Sequence, residues 1–438
     1  MTFYDTVIIG GGPAGYSCAI KASQLGGKVC LIEMNGLGGT CTQRGCIPTK
    51  FLHSVGDLLR KTRELGRNGI ITASPMIGVD YNILKSKMDS TVSRLSSGIR
   101  LLLKNNHVDL INGKARIYSK NCVQVDGRAL VDARTIVIAS GSYPVCIPGY
   151  EFNERILSTT TILEERLSPR LIAIVGGGYS GCEFAAILNA FGYDVTLIEE
   201  QQHLVPQHFS EIGDTIEKYL RLDGVNVITG QRLERIGSDH DCVFTKDQRI
   251  DVDRILICTG RRPNIDFKEL DAVGVKYDPR DGISTDDRTI TSVRNIYAIG
   301  DITGRFEVAH VASKQGEIAA SNIMGIDARI DYHSIPICIF TYPEVALVGD
   351  LYGRKKGDSQ FVADAKANCL RETRGTIKVF EDNGQVVGTY IIGPHAGELI
   401  AEATLSVRMG LKVKDVIDTV HAHPTLCESF VDALRAVH

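Results

Sequence analysis

The chain opens on an unbroken apolar, β-branched run, YDTVIIG at 4–10, the pattern of a strand buried on both faces. A glycine turn, Gly10-Gly11-Gly12-Pro13-Ala14-Gly15, leads into a helical stretch to about Leu25, and KVCLIE at 28–33 is the next strand. This predicts one βαβ unit with G-x-G-x-x-G in its first turn and Glu33 closing the second strand, 18 residues after Gly15. The unit then recurs. LIAIVGGGYSGCEFAAILNAFGYDVTLIEE at 171–200 repeats strand, Gly176-x-Gly178-x-x-Gly181, helix and strand, and reaches Glu199.

Between the two copies, 80–106 has a long helical pattern, followed by short alternating strands (VDLINGKARI, CVQV) and TIVIASGSYP at 135–144. TGRRPN at 259–264, with Gly260, closes the second unit, and TSVRNIYAIGD at 291–301 reads as a strand ending in Gly300-Asp301. From about 331 the pattern shifts to shorter strands (TIKVF, VVGTYIIG) and helices, the signature of an α+β domain. FTYPEVALVG at 340–349 suits either a core strand or a subunit interface.

Two complete fingerprints imply two bound nucleotides. Glycines let the backbone approach a pyrophosphate, the helix N-terminus supplies free N–H groups and positive potential, and the acid accepts from a ribose hydroxyl. At Glu199 the acid is followed by Glu200, Gln201 and Gln202, with no arginine to hold a 2′-phosphate, so the second nucleotide reads as NAD.

Composition narrows the class. The 438 residues suffice for about three domains. With 49 basic against 52 acidic residues, net charge −3, no field draws the chain to nucleic acid or a membrane surface. The N-terminus reads straight into a strand and no apolar run approaches the ~20 residues of a spanning helix, so a cytoplasmic protein is expected.

Twelve cysteines are scattered along the chain, and most read as buried small hydrophobes. Cys41 and Cys46, in GGTCTQRGCIPTK at 38–50, stand apart. A structural zinc site needs four ligands, and no second pair stands nearby at finger-like spacing. A staple closing so short a loop adds little and is reducible in the cytosol. Redox chemistry suits the context, because the pair precedes the helical stretch FLHSVGDLLRKTREL. A helix N-terminus favours thiolate, and Lys50 places a positive charge on the same face if the helix begins near Cys46. Near the C-terminus, HAHPTLCESFVDALRAV at 421–437 predicts a helix starting at Pro424, with Leu426, Phe430, Leu434 and Val437 as its apolar stripe. His423 and Glu428 there form a general base with a carboxylate to hold its tautomer, the part that thiol–disulfide exchange requires.

In order, GGGPAG, GGTCTQRGCIPTK, GGGYSGCE, TSVRNIYAIGD, FTYPEVALVG, GPHAGELIAEA and HAHPTLCE resemble the FAD-dependent pyridine nucleotide–disulfide oxidoreductases over essentially the whole chain, and most closely the members that oxidise dihydrolipoamide with NAD⁺. The resemblance implies an α/β fold of two Rossmann-like FAD- and NAD-binding domains with a C-terminal α+β dimerisation domain. The expected limits are 1–145 for FAD, 146–262 for NAD, 263–330 completing the FAD domain, and 331–438 for the interface. FAD is expected on Gly10, Gly12 and Gly15, with Glu33 at its adenosine ribose, Asp301 at its ribityl chain, and Ala115, Ser140, Gly141, Ser142 and Ala309 also touching it. NAD is expected on Gly176, Gly178, Gly181, Glu199 and Gly260, with Tyr179 as a lid. Cys46 is expected to face the flavin as thiolate while Cys41 exchanges with substrate, and Lys50 to pair with Glu183 beside the flavin. His423 and Glu428 would come from the second subunit of a homodimer. The implied partner is a lipoyl-bearing carrier protein, or the acyltransferase of a 2-oxoacid dehydrogenase, glycine-cleavage or acetoin system. No lipoyl-type domain precedes Met1, so that partner is expected to be a separate protein.

The chain departs from the family pattern at Thr42-Gln43-Arg44, where Leu-Asn-Val is more usual, and at Cys427, where a small residue such as serine is common. Two other readings stay open: an NADH-dependent reductase of another disulfide or a diaphorase-like flavoprotein, and a non-catalytic redox sensor that merely holds FAD.

Overall fold

A computed structural model describes residues 3–72, 78–165 and 170–438. Its first sheet contains β1 (Phe3–Ile9), β2 (Val29–Glu33), β3 (Asp109–Asn112), β4 (Ala115–Ser119), β5 (Cys122–Val125) and β6 (Ala129–Ile138), in the order β3-β2-β1-β6-β5-β4. β3, β2, β1 and β6 are parallel, whereas β4, β5 and β6 form an antiparallel meander. A strand far down the chain, Ile296–Ala298, returns to pair in parallel with β6.

β1 is apolar throughout because both its faces are covered. Val7 packs into the core on the meander side, and Ile8 into a second core with Ala14, Cys18 and Ala22 of helix α1 (Pro13–Gln24). The helix Ala309–Ile323 lies against α1 so closely that a Cβ on Gly316 would run into the Ala14 carbonyl. Next come α2 (Gly39–Arg44), α3 (Cys46–Arg67) and α4 (Tyr81–Asn105), the last capped by the Asp80 carboxylate, which accepts from the N–H groups of Asn82 and Ile83.

The second sheet repeats the plan. A short strand β7 (Ser142–Pro144) pairs with Arg261–Pro263 and links the two halves. β8 (Ile156–Ser158), β9 (Leu171–Val175), β10 (Asp194–Ile198) and β11 (Asn226–Ile228) then join Arg254–Ile257 in an all-parallel sheet, with α5 (Tyr179–Ala190) following β9 and α6 (Ser210–Leu222) following β10.

The third sheet is antiparallel throughout: Ile337–Ile339, Glu344–Gly349, Gln385–Gly393, Thr376–Asp382 and Lys355–Gln360, in that order. Glu344–Gly349 is paired on both sides, and Val345 to Val348 are buried, so within one chain this stretch is a core strand. The last helix differs from expectation. It runs over Glu428–Arg435 rather than from Pro424, so His423 lies in the preceding loop. Leu426, Phe430 and Leu434 are buried as the stripe predicts, whereas Val437 lies past the helix end and is only half-buried. Among the described residues, no helix is long and apolar enough to cross a membrane.

Candidate active site

Both glycine turns are shaped by the same close approaches. Gly10 and Gly176 have φ of +106° and +103°, which only glycine adopts without strain. A Cβ on Gly15 would run into the Gly10 carbonyl oxygen, and one on Gly181 into that of Gly176. Each helix therefore starts hard against its strand. The middle glycine is different in both copies: a Cβ on Gly12 would meet only Gly39 Cα at 3.8 Å, and one on Gly178 nothing within 4 Å. That open space above a helix N-terminus is what a pyrophosphate needs. The acids match too. Glu33 Oε2 accepts from the Gly11 N–H at 2.6 Å, and Glu199 Oε2 from the Gly177 N–H at 2.6 Å.

Around the first turn, Ser140 Oγ is buried without a protein partner, and Gly141, at φ +71°, has open space beside it. Ser142 Oγ donates to Asp301 Oδ2 at 2.7 Å, and Arg261 holds Ser142 from the other side, through Nε to Oγ at 2.7 Å and Nη2 to the backbone oxygen at 2.8 Å. The turn carrying Asp301 is fixed by the Gly300 N–H, which donates to Gln315 Oε1 at 2.6 Å. Ala309 begins its helix with no capping side chain, leaving the first N–H groups free for an acceptor. Ala115 sits at the start of β4, opposite Val125. An orphaned hydroxyl, an uncapped helix and a glycine cradle on one sheet edge fit a large polar dinucleotide such as FAD.

At the second turn, Tyr179 is the first residue of α5, with its hydroxyl against Nε2 of His208 and its ring nearly parallel to the imidazole, at 15°. Burial holds the Tyr179 hydroxyl above its ordinary pKa and the His208 imidazole below it. Gly260, at φ +134°, borders open space.

The thiol pair lies just beyond the first turn. Cys41 is on α2, and Cys46 is the first residue of α3, so the expected helix start holds and Lys50 stands one turn on. The two thiols are hydrogen-bonded to each other. The Cys41 hydrogen bond to Cys46, with the Lys50 charge, pulls the Cys46 pKa down to about 7 against the penalty of burial. The same hydrogen bond, with burial, pushes Cys41 up. The helix N-terminus and the Lys50 charge both lie on the Cys46 side, so Cys46 is the member of the pair at which a thiolate is favoured. Lys50 Nζ pairs with Glu183 Oε2 at 2.7 Å across 133 residues, and Glu183 is almost fully buried. Gln43, one of the departures, donates to the Leu37 carbonyl at 2.7 Å and to Ser96 Oγ at 3.1 Å, tying α2 to α4; Thr42 is buried.

His423 Nδ1 lies 2.9 Å from Glu428 Oε1. The Thr425 N–H and then His423 hold the Glu428 carboxyl below its ordinary range. This dyad belongs to the third sheet, where its helix packs on Lys355–Gln360 and Thr376–Asp382, and the His423 side chain is 70% exposed. Within one chain it faces outward, and the structure does not bring it to the dithiol. Cys427 is the N-cap of that helix, its thiol pushed up by burial.

Residues 4–316 match the pyridine nucleotide-disulphide oxidoreductase family, and residues 335–434 match its dimerisation domain. The chain belongs to this family. It is a disulfide-type oxidoreductase whose cofactors are FAD and NAD. Among relatives, the dihydrolipoyl dehydrogenase of Chlamydia pneumoniae is 37% identical over 445 residues, covering 98% of this chain and 96% of its own. That of Geobacillus stearothermophilus is 34% identical, covering 98% and 95%. Among solved structures, the HOCl-induced flavoprotein disulfide reductase RclA from Escherichia coli superposes with a TM-score of 0.87 at 26% identity over 99% of each chain.

Several contacts at the site have no local signal in the sequence. Arg261 on Ser142 and His208 on Tyr179 join residues 119 and 29 positions apart. In both cases only the pairing of distant strands and loops makes the neighbours.

Proposed function

We propose that this protein oxidises dihydrolipoyl groups to lipoyl disulfide with NAD⁺, holding FAD on the first glycine turn and NAD on the second. The polarised Cys41–Cys46 pair carries this reading, supported by the name that relatives such as the Chlamydia pneumoniae enzyme bear over nearly their full length. In the oxidised enzyme the two cysteines share a disulfide. A dihydrolipoyl thiolate attacks Cys41 sulfur, forming a mixed disulfide and releasing Cys46 as thiolate, the form its surroundings stabilise. That attacking thiolate is generated by His423, its other nitrogen on Glu428, which takes the proton of the first lipoyl thiol. The second lipoyl sulfur then attacks the lipoyl sulfur of the mixed disulfide, its proton passing to the leaving Cys41 sulfur, so lipoyl disulfide forms and Cys41 leaves as the thiol. FAD, held on the Gly10–Gly15 turn, would supply the two-electron acceptor for the dithiol and the hydride for NAD⁺.

His423 is exposed and hydrogen-bonds Glu428 rather than either thiol, so it serves the dithiol of a second copy, with the dimerisation domain as the means of pairing. The lipoyl group arrives on a separate carrier or acyltransferase protein.

Cys46→Ser tests the scheme. Lipoamide turnover is expected to vanish while FAD stays bound, and retained turnover would refute it. Assaying NADH against lipoamide, glutathione disulfide and quinones separates the dihydrolipoyl reading from a reductase of another disulfide or a diaphorase.

A further inference from the structure

The ammonium of Lys50 has a third neighbour besides Glu183 and the thiols. Its Nζ sits 4.5 Å from the centroid of the Phe340 ring. Phe340 comes from the loop after Ile337–Ile339, 290 positions along the chain, and its backbone N–H donates to the free oxygen of the same carboxylate, Glu183 Oε1, at 3.0 Å. One residue of the C-terminal sheet thus holds both members of the ion pair: the anion through its main chain, the cation through its ring face. The loop is itself anchored to α3. The Tyr342 hydroxyl donates to the His53 carbonyl at 2.6 Å, the Tyr342 ring stacks on the His53 ring at 4.5 Å, and the Phe340 ring meets His53 edge-on at 5.8 Å.

We propose that Phe340 is a positioning residue for the redox centre, its ring holding the Lys50 ammonium on the Cys46 side and keeping water from one face of that charge. A lysine is a flexible stem with a strongly hydrated head, so without a second contact it would be free to swing about Glu183 into solvent. A ring face attracts the cation without neutralising it, unlike a carboxylate, and so leaves its field available to the sulfur. The groups acting on Cys46 are Cys41 from α2, Lys50 on its own helix and Glu183 from α5. Behind them lie Cys338 from the third sheet, within the field of Lys50 and Glu183, and His53, kept below its ordinary pKa by burial. The thiolate is favoured by Cys41, Lys50 and the backbone N–H of Cys46, and of these Lys50 alone carries a full charge on a flexible stem, so the seat of the ammonium is the adjustable part of how readily Cys46 ionises.

The inference rests on the redox reading of the thiol pair but not on which disulfide the enzyme serves. It is tested on FAD-loaded protein in a Cys41→Ser background by following iodoacetamide alkylation of Cys46 against pH, resolved by residue with mass spectrometry. Phe340→Leu keeps an apolar side chain and the backbone N–H but removes the ring face; alkylation near neutral pH is expected to fall about three- to tenfold, with the midpoint moved upward. Phe340→Tyr, which restores a ring, is expected to recover the original profile. Should the leucine variant lose FAD, Phe340→Met, unbranched and adaptable, makes the same comparison. An unchanged profile in a folded, FAD-loaded ringless variant overturns the proposal, as does a tyrosine variant behaving like the leucine one. Absent lipoamide activity in FAD-loaded protein that keeps both cysteines, together with the profile shifted as expected in the Cys41→Ser background, sinks the dihydrolipoyl reading and leaves this inference standing.

Discussion

The two glycine turns are built on one plan and covered differently. Gly15 and Gly181 press against the same carbonyl of their respective turns, and Glu33 and Glu199 accept from equivalent N–H groups at the same distance. Around the first turn, however, the chain returns from far away. Ile296–Ala298 joins its sheet, the helix Ala309–Ile323 presses on α1, and the turn with Asp301 meets Ser142 and Arg261. Around the second, the cover is local, a loop after β10 that brings His208 onto Tyr179 and ties the Val205 N–H to the Gly177 carbonyl at 2.9 Å. Enclosure by distant segments suits a cofactor that stays; a local cover suits one that exchanges each turnover. The same motif can therefore serve residence or exchange, depending on what the rest of the chain lays over it.

The strongest way to break the comparison is a pair of glycine substitutions. Gly15→Ala sets a Cβ against backbone, which cannot yield as a flexible side chain would; FAD content on purification is expected to drop by at least about tenfold, with loss of fold stability. Gly181→Ala meets the same obstruction, yet its expected result is retained flavin with NAD⁺ reduction lost. Flavin absorbance and steady-state rates read both, and equal loss of flavin in the two variants would contradict the division of roles.

Next in size is the removal of the Lys50 charge. Lys50→Met takes away a cation that lowers the Cys46 pKa, and the pH midpoint of Cys46 alkylation is expected to rise by about one unit above that of the parent. The sign is fixed: below its pKa the sulfur is protonated and unreactive, so the variant should be slower near neutral pH and catch up in alkali. Smaller and more selective, Glu199→Gln removes the charge that repels a 2′-phosphate. The ratio of NADP⁺ to NAD⁺ efficiency should rise about tenfold, whereas Glu33→Gln should leave that ratio unchanged and weaken FAD retention instead. The smallest effect is expected at Gln43→Ala, which gives up two hydrogen bonds, one to Ser96 on α4 and one to the Leu37 carbonyl before α2. A thermal melt of the FAD-loaded protein should report about 1–2 kcal/mol of destabilisation with NAD⁺ preference untouched.

Features written in short spans were legible in advance. The glycine spacing, the acid closing each second strand, the cysteine pair before a helix and the length of α4 all depend on neighbours a few residues away. The helix after His423 shows the limit of that reasoning. Pro424 and the apolar spacing suggested a start there, yet Glu428 spends its carboxylate on the Thr425 N–H and on His423, and regular helix begins only at Glu428. FTYPEVALVG was readable as apolar but not as the segment whose first residue bridges Lys50 and Glu183, since one stretch of hydrophobicity serves a core and a site alike.

By itself, then, the sequence determined that two dinucleotide turns, a redox thiol pair and a His–Glu dyad exist in this protein, because each is specified by local backbone geometry and side-chain chemistry. Only the tertiary structure decided which of them meet: that Glu183 and Phe340 flank Lys50, that Arg261 and Asp301 share Ser142, and that the histidine of the dyad lies exposed to solvent. Such meetings follow from strand order and the burial of distant apolar faces against one another, and those are properties of the whole chain rather than of any window along it.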